Sequence, residues 1–284
     1  MRSFAAILMF LAAAPLGAQE ARRVWVLHSG VHILMAPKDK NFAALKLRDD
    51  LVARGVSAKD IVVMECPFPQ ASVQNPVPRE GLALFWDSMD PASRGSHDAY
   101  VRLHETLARH GVKESDALVW VGYSAGGQMG LTMAHLAHHH AKYSALADKT
   151  RPYRFEMVIT LGTPVGANPA PKDVKVRQYF SYADRMVKML QTGKSTVAAL
   201  GARHAIHFYQ LDGGDVLARR FDKIEHPEWI FAPRVLDLLI KECDGPCPVW
   251  QAGTCATTGG QLSTLLCRAL AEQTRISIED APLE

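Results

Sequence analysis

Several things are scarce in this chain of 284 residues, and each scarcity excludes something. Charge of one sign is nearly absent: 32 Lys and Arg stand against 29 Asp and Glu, a formal net charge of +3. No basic block of the kind that grips nucleic acid occurs, so charge points to no nucleic-acid partner. No apolar run reaches the roughly 20 residues that span a bilayer, which argues against stable membrane insertion. Aromatics make up 8%, and 20 glycines and 16 prolines are too few for a fibrous or low-complexity chain. Cysteine is rarer still: Cys66 stands alone until a late group of Cys243, Cys247, Cys255 and Cys267. What is abundant is apolar material, at 48%, enough to form a core and exclude general disorder.

The first residues, MRSFAAILMFLAAAPLGAQE, combine Arg2, an apolar run over 4–14 and a Pro-Leu-Gly-Ala finish. This is the pattern of an export signal, with cleavage expected after Ala18. Export to a periplasmic or extracellular compartment makes disulfides among the four late cysteines the expected use of those residues, with three possible connectivities. Their spacing fits no standard zinc finger. The expected organisation is a signal over 1–18, one domain over 19–242, and a cysteine-rich tail over 243–284.

Between these ends, short β-branched or apolar runs alternate with helical periodicity. Strands are expected at 24–27, 61–64, 117–121, 157–161, 176–182 and 206–211, and helices at 42–54, 101–110, 128–142, 186–200 and 233–243. Strands alternating with helices require crossover connections. They predict an α/β fold, a three-layer α/β/α sandwich on a mostly parallel sheet of about six strands. The Pro-rich stretch 67–96 is the one long segment without clear periodicity.

One motif carries chemistry. Gly122-Tyr123-Ser124-Ala125-Gly126 directly follows an expected strand and directly precedes an expected helix. A bare Gly-x-Ser-x-Gly is common; the strand–turn–helix context is what a nucleophile elbow needs, because the glycines allow strand and helix to approach closely while the serine stands exposed. No Lys follows in the turn, which excludes a nucleotide-binding P-loop.

With that motif in that context, the sequence resembles the α/β-hydrolase superfamily, in particular its compact lipase/esterase-like members, over residues 24–241. The resemblance implies a triad in the chain order nucleophile, acid, histidine. Ser124 is the implied nucleophile, Asp184 the acid after the strand that follows Gly162-Thr163-Pro164, and His226 the base before the final helix. Asp212, Asp215 and Asp222 remain alternatives for the acid, and His204 and His207 read more simply as core or edge residues. The oxyanion hole implied is the N–H of Ala125 with a second donor from His28-Ser29-Gly30-Val31-His32, either Val31 or Gly30. Ser29 departs from the superfamily's His-Gly turn.

Only about a dozen residues separate Pro164 from the next expected strand, so no large cap domain is expected there. Phe85 and Trp86 in the 67–96 stretch, with Tyr123 and Trp229 beside the expected nucleophile and base, are candidate substrate-binding aromatics. The resemblance implies an ester hydrolase acting on a small-molecule, lipid or polymeric ester, with no metal and no organic cofactor. A thioesterase or acyltransferase, and a non-catalytic binding protein on the same scaffold, are the other readings. His135, His138, His139 and His140 crowd the end of the helix behind the elbow, and are expected to be surface histidines.

Overall fold

The computed structural model describes residues 21–30, 39–67, 87, 90–163, 171, 173–181, 183–184, 215–243 and 277–280. They form one sheet of seven parallel strands: β1 (Arg23–His28), β2 (Ile61–Met64), β3 (Ala117–Tyr123), β4 (Arg154–Leu161), β5 (Lys175–Phe180), β6 (Val216–Arg220) and β7 (Ser277–Asp280). Their spatial order is β2-β1-β3-β4-β5-β6-β7. The chain leaves β1 toward β2 on one side, then returns to lay β3 on the other. The crevice between the C-terminal ends of β1 and β3 is therefore the point where winding direction reverses, the usual place for a ligand site in an open parallel sheet.

The strands are buried on both faces because each face carries its own helices. Along β1, Val24 and Val26 enter one core while Trp25 and Leu27 enter the other; along β3, Leu118 and Trp120 oppose Val119 and Val121 in the same way. The first core is covered by α2 (Arg94–Arg109) and α3 (Ala125–His138). The second is covered by α1 (Phe42–Ala53) and, after the short α4 (Ser144–Ala147), by α5 (Pro233–Glu242). Pro233 opens α5 where its missing N–H costs no hydrogen bond. This is the three-layer α/β arrangement expected, with no large cap evident among the described residues.

Two differences from the sequence reading concern the far edge of the sheet. The expected strand at 206–211 and the expected helix at 186–200 lie outside the described residues. The sixth described strand is instead Val-Leu-Ala-Arg-Arg at Val216–Arg220. Its two arginines break the apolar run that periodicity looks for, yet Arg219 Nε lies 2.9 Å from a carboxylate oxygen of Glu242 at the end of α5. Arg177 of β5 joins the same carboxylate at 3.1 Å and Asp215 at 2.8 Å, so paired charge replaces apolar contact here. The second difference lies in the expected tail: the backbone of Ser277–Asp280 pairs with β6 and supplies the edge strand among the described residues.

Candidate active site

Ser124 follows β3 directly and precedes α3. Its backbone stands at φ 52° and ψ −125°, a conformation uncommon for a residue with a side chain and maintained only when its surroundings impose it. Those surroundings are visible. The Ser124 N–H donates to the Leu161 carbonyl at 2.9 Å, tying the turn to β4. Its carbonyl accepts from the Thr163 hydroxyl at 2.8 Å and from the Gly127 N–H at 3.0 Å. A methyl group at Gly122 would sit 2.2 Å from the Gly126 carbonyl oxygen, so only glycine lets the strand run this close to the helix it feeds.

Asp184 lies just beyond β5 and is fully buried. Ser181 shapes that loop: its hydroxyl accepts from the Ala183 N–H at 3.1 Å and from the Ile224 N–H at 3.3 Å. The second bond crosses to the segment that leads into His226, so one serine ties the acid loop to the histidine loop. His226 opens a 3-10 turn, His226–Ile230, fixed by a reciprocal capping box between Glu225 and Glu228.

These three elements bring Ser124, His226 and Asp184 into one hydrogen-bonded line. His226 Nε2 lies 3.1 Å from Ser124 Oγ, and His226 Nδ1 lies 2.9 Å from Asp184 Oδ2. Such a line suits proton transfer: with Nδ1–H donated to the carboxylate, Nε2 is left as the acceptor facing the hydroxyl. All three side chains are buried. Among the alternatives for the acid, Asp215, just before β6, is engaged by Arg177 of β5, and Asp212 lies outside the described residues, as do His204 and His207; it is the Asp184 carboxylate that meets His226.

The loop after β1 reaches the elbow. A methyl group at Gly30 would meet Tyr123 O at 2.5 Å, Ser124 Cβ at 2.6 Å and Ala125 N at 2.9 Å, so a side chain there would displace the nucleophile. Ser29, the departure from the expected turn, has a local reason: its buried hydroxyl accepts from the Ala44 N–H at 3.0 Å, satisfying a donor in the first turn of α1. From the other side the Cys66 thiol donates to the Gly30 carbonyl at 3.6 Å, and the Cys66 N–H donates to Asn41 Oδ1 at 2.8 Å. His28 stacks on Trp120 at 5.5 Å, and burial lowers its pKa to about 4, so it is neutral under ordinary conditions. Val31, the other donor candidate, lies outside the described residues.

Two of the expected substrate-binding aromatics hydrogen-bond into the line itself. Tyr123 and Trp229 are buried, at 4% and 0% exposure, and each holds part of the line. The Tyr123 hydroxyl donates to the His226 carbonyl at 3.1 Å, and burial together with the charge of Asp184 raises its pKa, keeping it protonated. Trp229 Nε1 donates to Asp184 Oδ2 at 2.8 Å. Sequence reasoning missed both roles, and that of Ser181; the nearness of Trp229 to His226 in the chain was the one available hint. Phe85 and Trp86 lie outside the described residues.

The expectation of surface histidines behind the elbow is corrected for His135 and His140, which are 3% and 8% exposed. Among the described residues no group of three or more His, Cys, Asp or Glu is arranged to hold a metal ion, and no helix is long and apolar enough to cross a membrane. Of the disulfide candidates, Cys243 is buried at the end of α5, while Cys247, Cys255 and Cys267 lie outside the described residues.

No protein-family model and no curated protein matches the chain. Solved structures with a similar fold include esterase B from Lactobacillus rhamnosis, 9% identical over 79% of this chain and 75% of that one, with a TM-score of 0.45. A Xanthomonas campestris protein described as an a/b serine hydrolase without lid is 17% identical over 78% of this chain and 79% of that one, with a TM-score of 0.37. An arylesterase is 9% identical over 78% and 74%, with a TM-score of 0.43. At such identities these are likenesses of fold, and the chain's own side-chain geometry has to carry any functional reading.

Proposed function

We propose that this protein is a serine hydrolase of carboxylic esters, exported after removal of residues 1–18. The observation that carries the reading is the line Ser124 Oγ–His226 Nε2–Asp184 Oδ2, at 3.1 and 2.9 Å, built on a serine held at positive φ. A buried line of this kind costs stability to assemble and suits nucleophilic attack by a hydroxyl that is otherwise protonated and inert.

In the proposed reaction, Ser124 Oγ forms a bond to the ester carbonyl carbon as its proton passes to His226 Nε2. Asp184 holds the imidazole in the required tautomer and offsets the positive charge it gains. The carbonyl oxygen becomes an oxyanion beside the start of α3, where the Ala125 N–H and a second donor, Gly30 or Val31, receive it. Collapse breaks the bond to the leaving alcohol, which takes the proton from His226. Water then repeats the sequence on the acyl-enzyme, releasing the acid and restoring Ser124.

The test is incubation of the protein lacking residues 1–18 with a fluorophosphonate and with nitrophenyl esters of short and long acyl chains. The expected outcome is one phosphonylated residue, Ser124, with labelling and turnover both lost in Ser124→Ala. Absence of labelling in the unsubstituted protein overturns the reading.

A further inference from the structure

Asp184 Oδ2 receives two donors at once: His226 Nδ1 at 2.9 Å and Trp229 Nε1 at 2.8 Å. We propose that Trp229 is a positioning residue, which fixes the Asp184 carboxylate so that Oδ2 meets the imidazole of His226. The inference rests on the ester-hydrolase reading of the Ser124 site.

The geometry around Trp229 leaves its indole little freedom. The ring is fully buried and meets Phe221 edge to face, with centroids 5.5 Å apart. Gly162, at φ 55° beyond β4, presses on it from the sheet side: a methyl group there would lie 2.4 Å from Trp229 Nε1 and 2.9 Å from Asp184 Oδ2. The glycine thus leaves the room in which indole and carboxylate meet. Trp229 and His226 share one short 3-10 turn, so a single rigid piece of chain delivers both donors to the same oxygen. A buried indole N–H needs an acceptor, and a buried carboxylate needs donors; each answers the other. Trp229 touches the acid and acts through it, leaving the reacting atoms to Ser124 and His226.

The test compares Trp229→Phe, which keeps the aromatic bulk and removes the N–H, with the unsubstituted enzyme. Loss of one charge-assisted hydrogen bond predicts kcat for a nitrophenyl ester lowered about tenfold, with KM unchanged within about twofold. The downfield resonance of the His226 Nδ1 proton should shift or broaden in the same variant. A role confined to packing would instead lower the melting temperature while leaving kcat of the folded enzyme and that resonance in place; that result overturns the proposal. Should Trp229→Phe fail to fold, Asp184→Asn is read against the indole N–H spectrum of the chain's 5 tryptophans. One downfield, exchange-protected indole proton must move; if none moves, the proposal is wrong. Failure of the ester-hydrolase reading is separate: there the unsubstituted protein does not react with fluorophosphonate at all.

Discussion

Histidines flank helix α3 at both ends, one from another loop and a group from its own last turn, and the two ends behave differently. At its start, His226 lies between a hydroxyl and a carboxylate, and that carboxylate has a further donor in Trp229. At its other end, the rings of His135 and His139 lie 4.5 Å apart, those of His138 and His139 4.7 Å apart. Nδ1 of both His135 and His139 is buried without a hydrogen-bond partner, and the carboxylate facing His138, that of Asp173, is 3.7 Å away and exposed. Crowding of titratable groups is common to both ends; a directed chain of donors and acceptors belongs to one. The capacity for base chemistry follows that directed chain, since an imidazole can act as a base only when one nitrogen is oriented and the other left open to the reacting group.

The sharpest way to break this contrast is to remove the direction and keep the bulk. In Asp184→Asn the side chain keeps its size, but the Oδ2 position that both Trp229 Nε1 and His226 Nδ1 face loses its charge. With the amide oxygen there, no negative charge offsets the imidazolium; with the amide nitrogen there, a donor faces His226 Nδ1, which must become an acceptor, and Nε2 carries the proton toward Ser124. That tautomer cannot accept the serine proton. Turnover of a nitrophenyl ester should fall by about 10⁴ while the protein stays folded. Activity near that of the unsubstituted protein would mean that the buried line is not the working one.

A smaller effect is expected at the other end of the helix, and in stability. Burial lowers the pKa of His135 to about 3, with the charges of His139, His138 and Lys142 adding to the shift. Burial lowers His139 to about 4 as well. In the unfolded chain such histidines bind protons near pH 6.5, so between pH 6.5 and about 4 the unfolded state holds more protons than the folded one. The stability tied to keeping these rings neutral is complete above pH 6.5 and is lost as pH falls toward the folded pKa. For His135 the loss should be on the order of 2–3 kcal/mol by pH 4.5. Denaturant melts of His135→Leu, a change that removes the titrating group, should fall less steeply with pH than those of the unsubstituted protein. Parallel curves would contradict this account of the cluster.

How much of this was legible beforehand depended on whether neighbours in sequence were neighbours in space. The elbow was legible because strand, Gly-x-Ser-x-Gly and helix are contiguous, and Asp184 and His226 because chain order along a parallel sheet puts loop after loop on the same edge. Ser181, Tyr123 and Trp229 were not, because their roles exist only across loops: Ser181 reaches Ile224, Tyr123 reaches the His226 carbonyl, and Trp229 reaches Asp184. Strand β6 escaped for another physical reason. Periodicity registers apolar side chains, and a strand that ends in two arginines, one of them neutralised by Glu242 at the end of α5, looks like a polar loop. The buried histidines misled in the opposite sense, since four near-consecutive imidazoles at a helix end read as solvated, whereas α3 is packed against the sheet almost to its last turn.

The smallest expected effect closes the comparison from the quiet side. His138 belongs to the crowded end of α3, with its side chain 25% exposed and its nearest carboxylate, Asp173, 85% exposed. An ion pair of that exposure contributes about 0–1 kcal/mol, because water screens it and two mobile side chains must be ordered to form it. Its ring meets His139 edge to face, a contact that truncation removes without opening a closed cavity. His138→Ala should therefore leave kcat and KM for a nitrophenyl ester within about twofold, and stability at pH 7 within about 0.5 kcal/mol. Fluorophosphonate labelling rate and a denaturant melt on one preparation measure both. A tenfold fall in labelling rate with an unchanged melt would show that the far end of α3 reaches Ser124 through the helix, and the two ends would then have to be treated as one site.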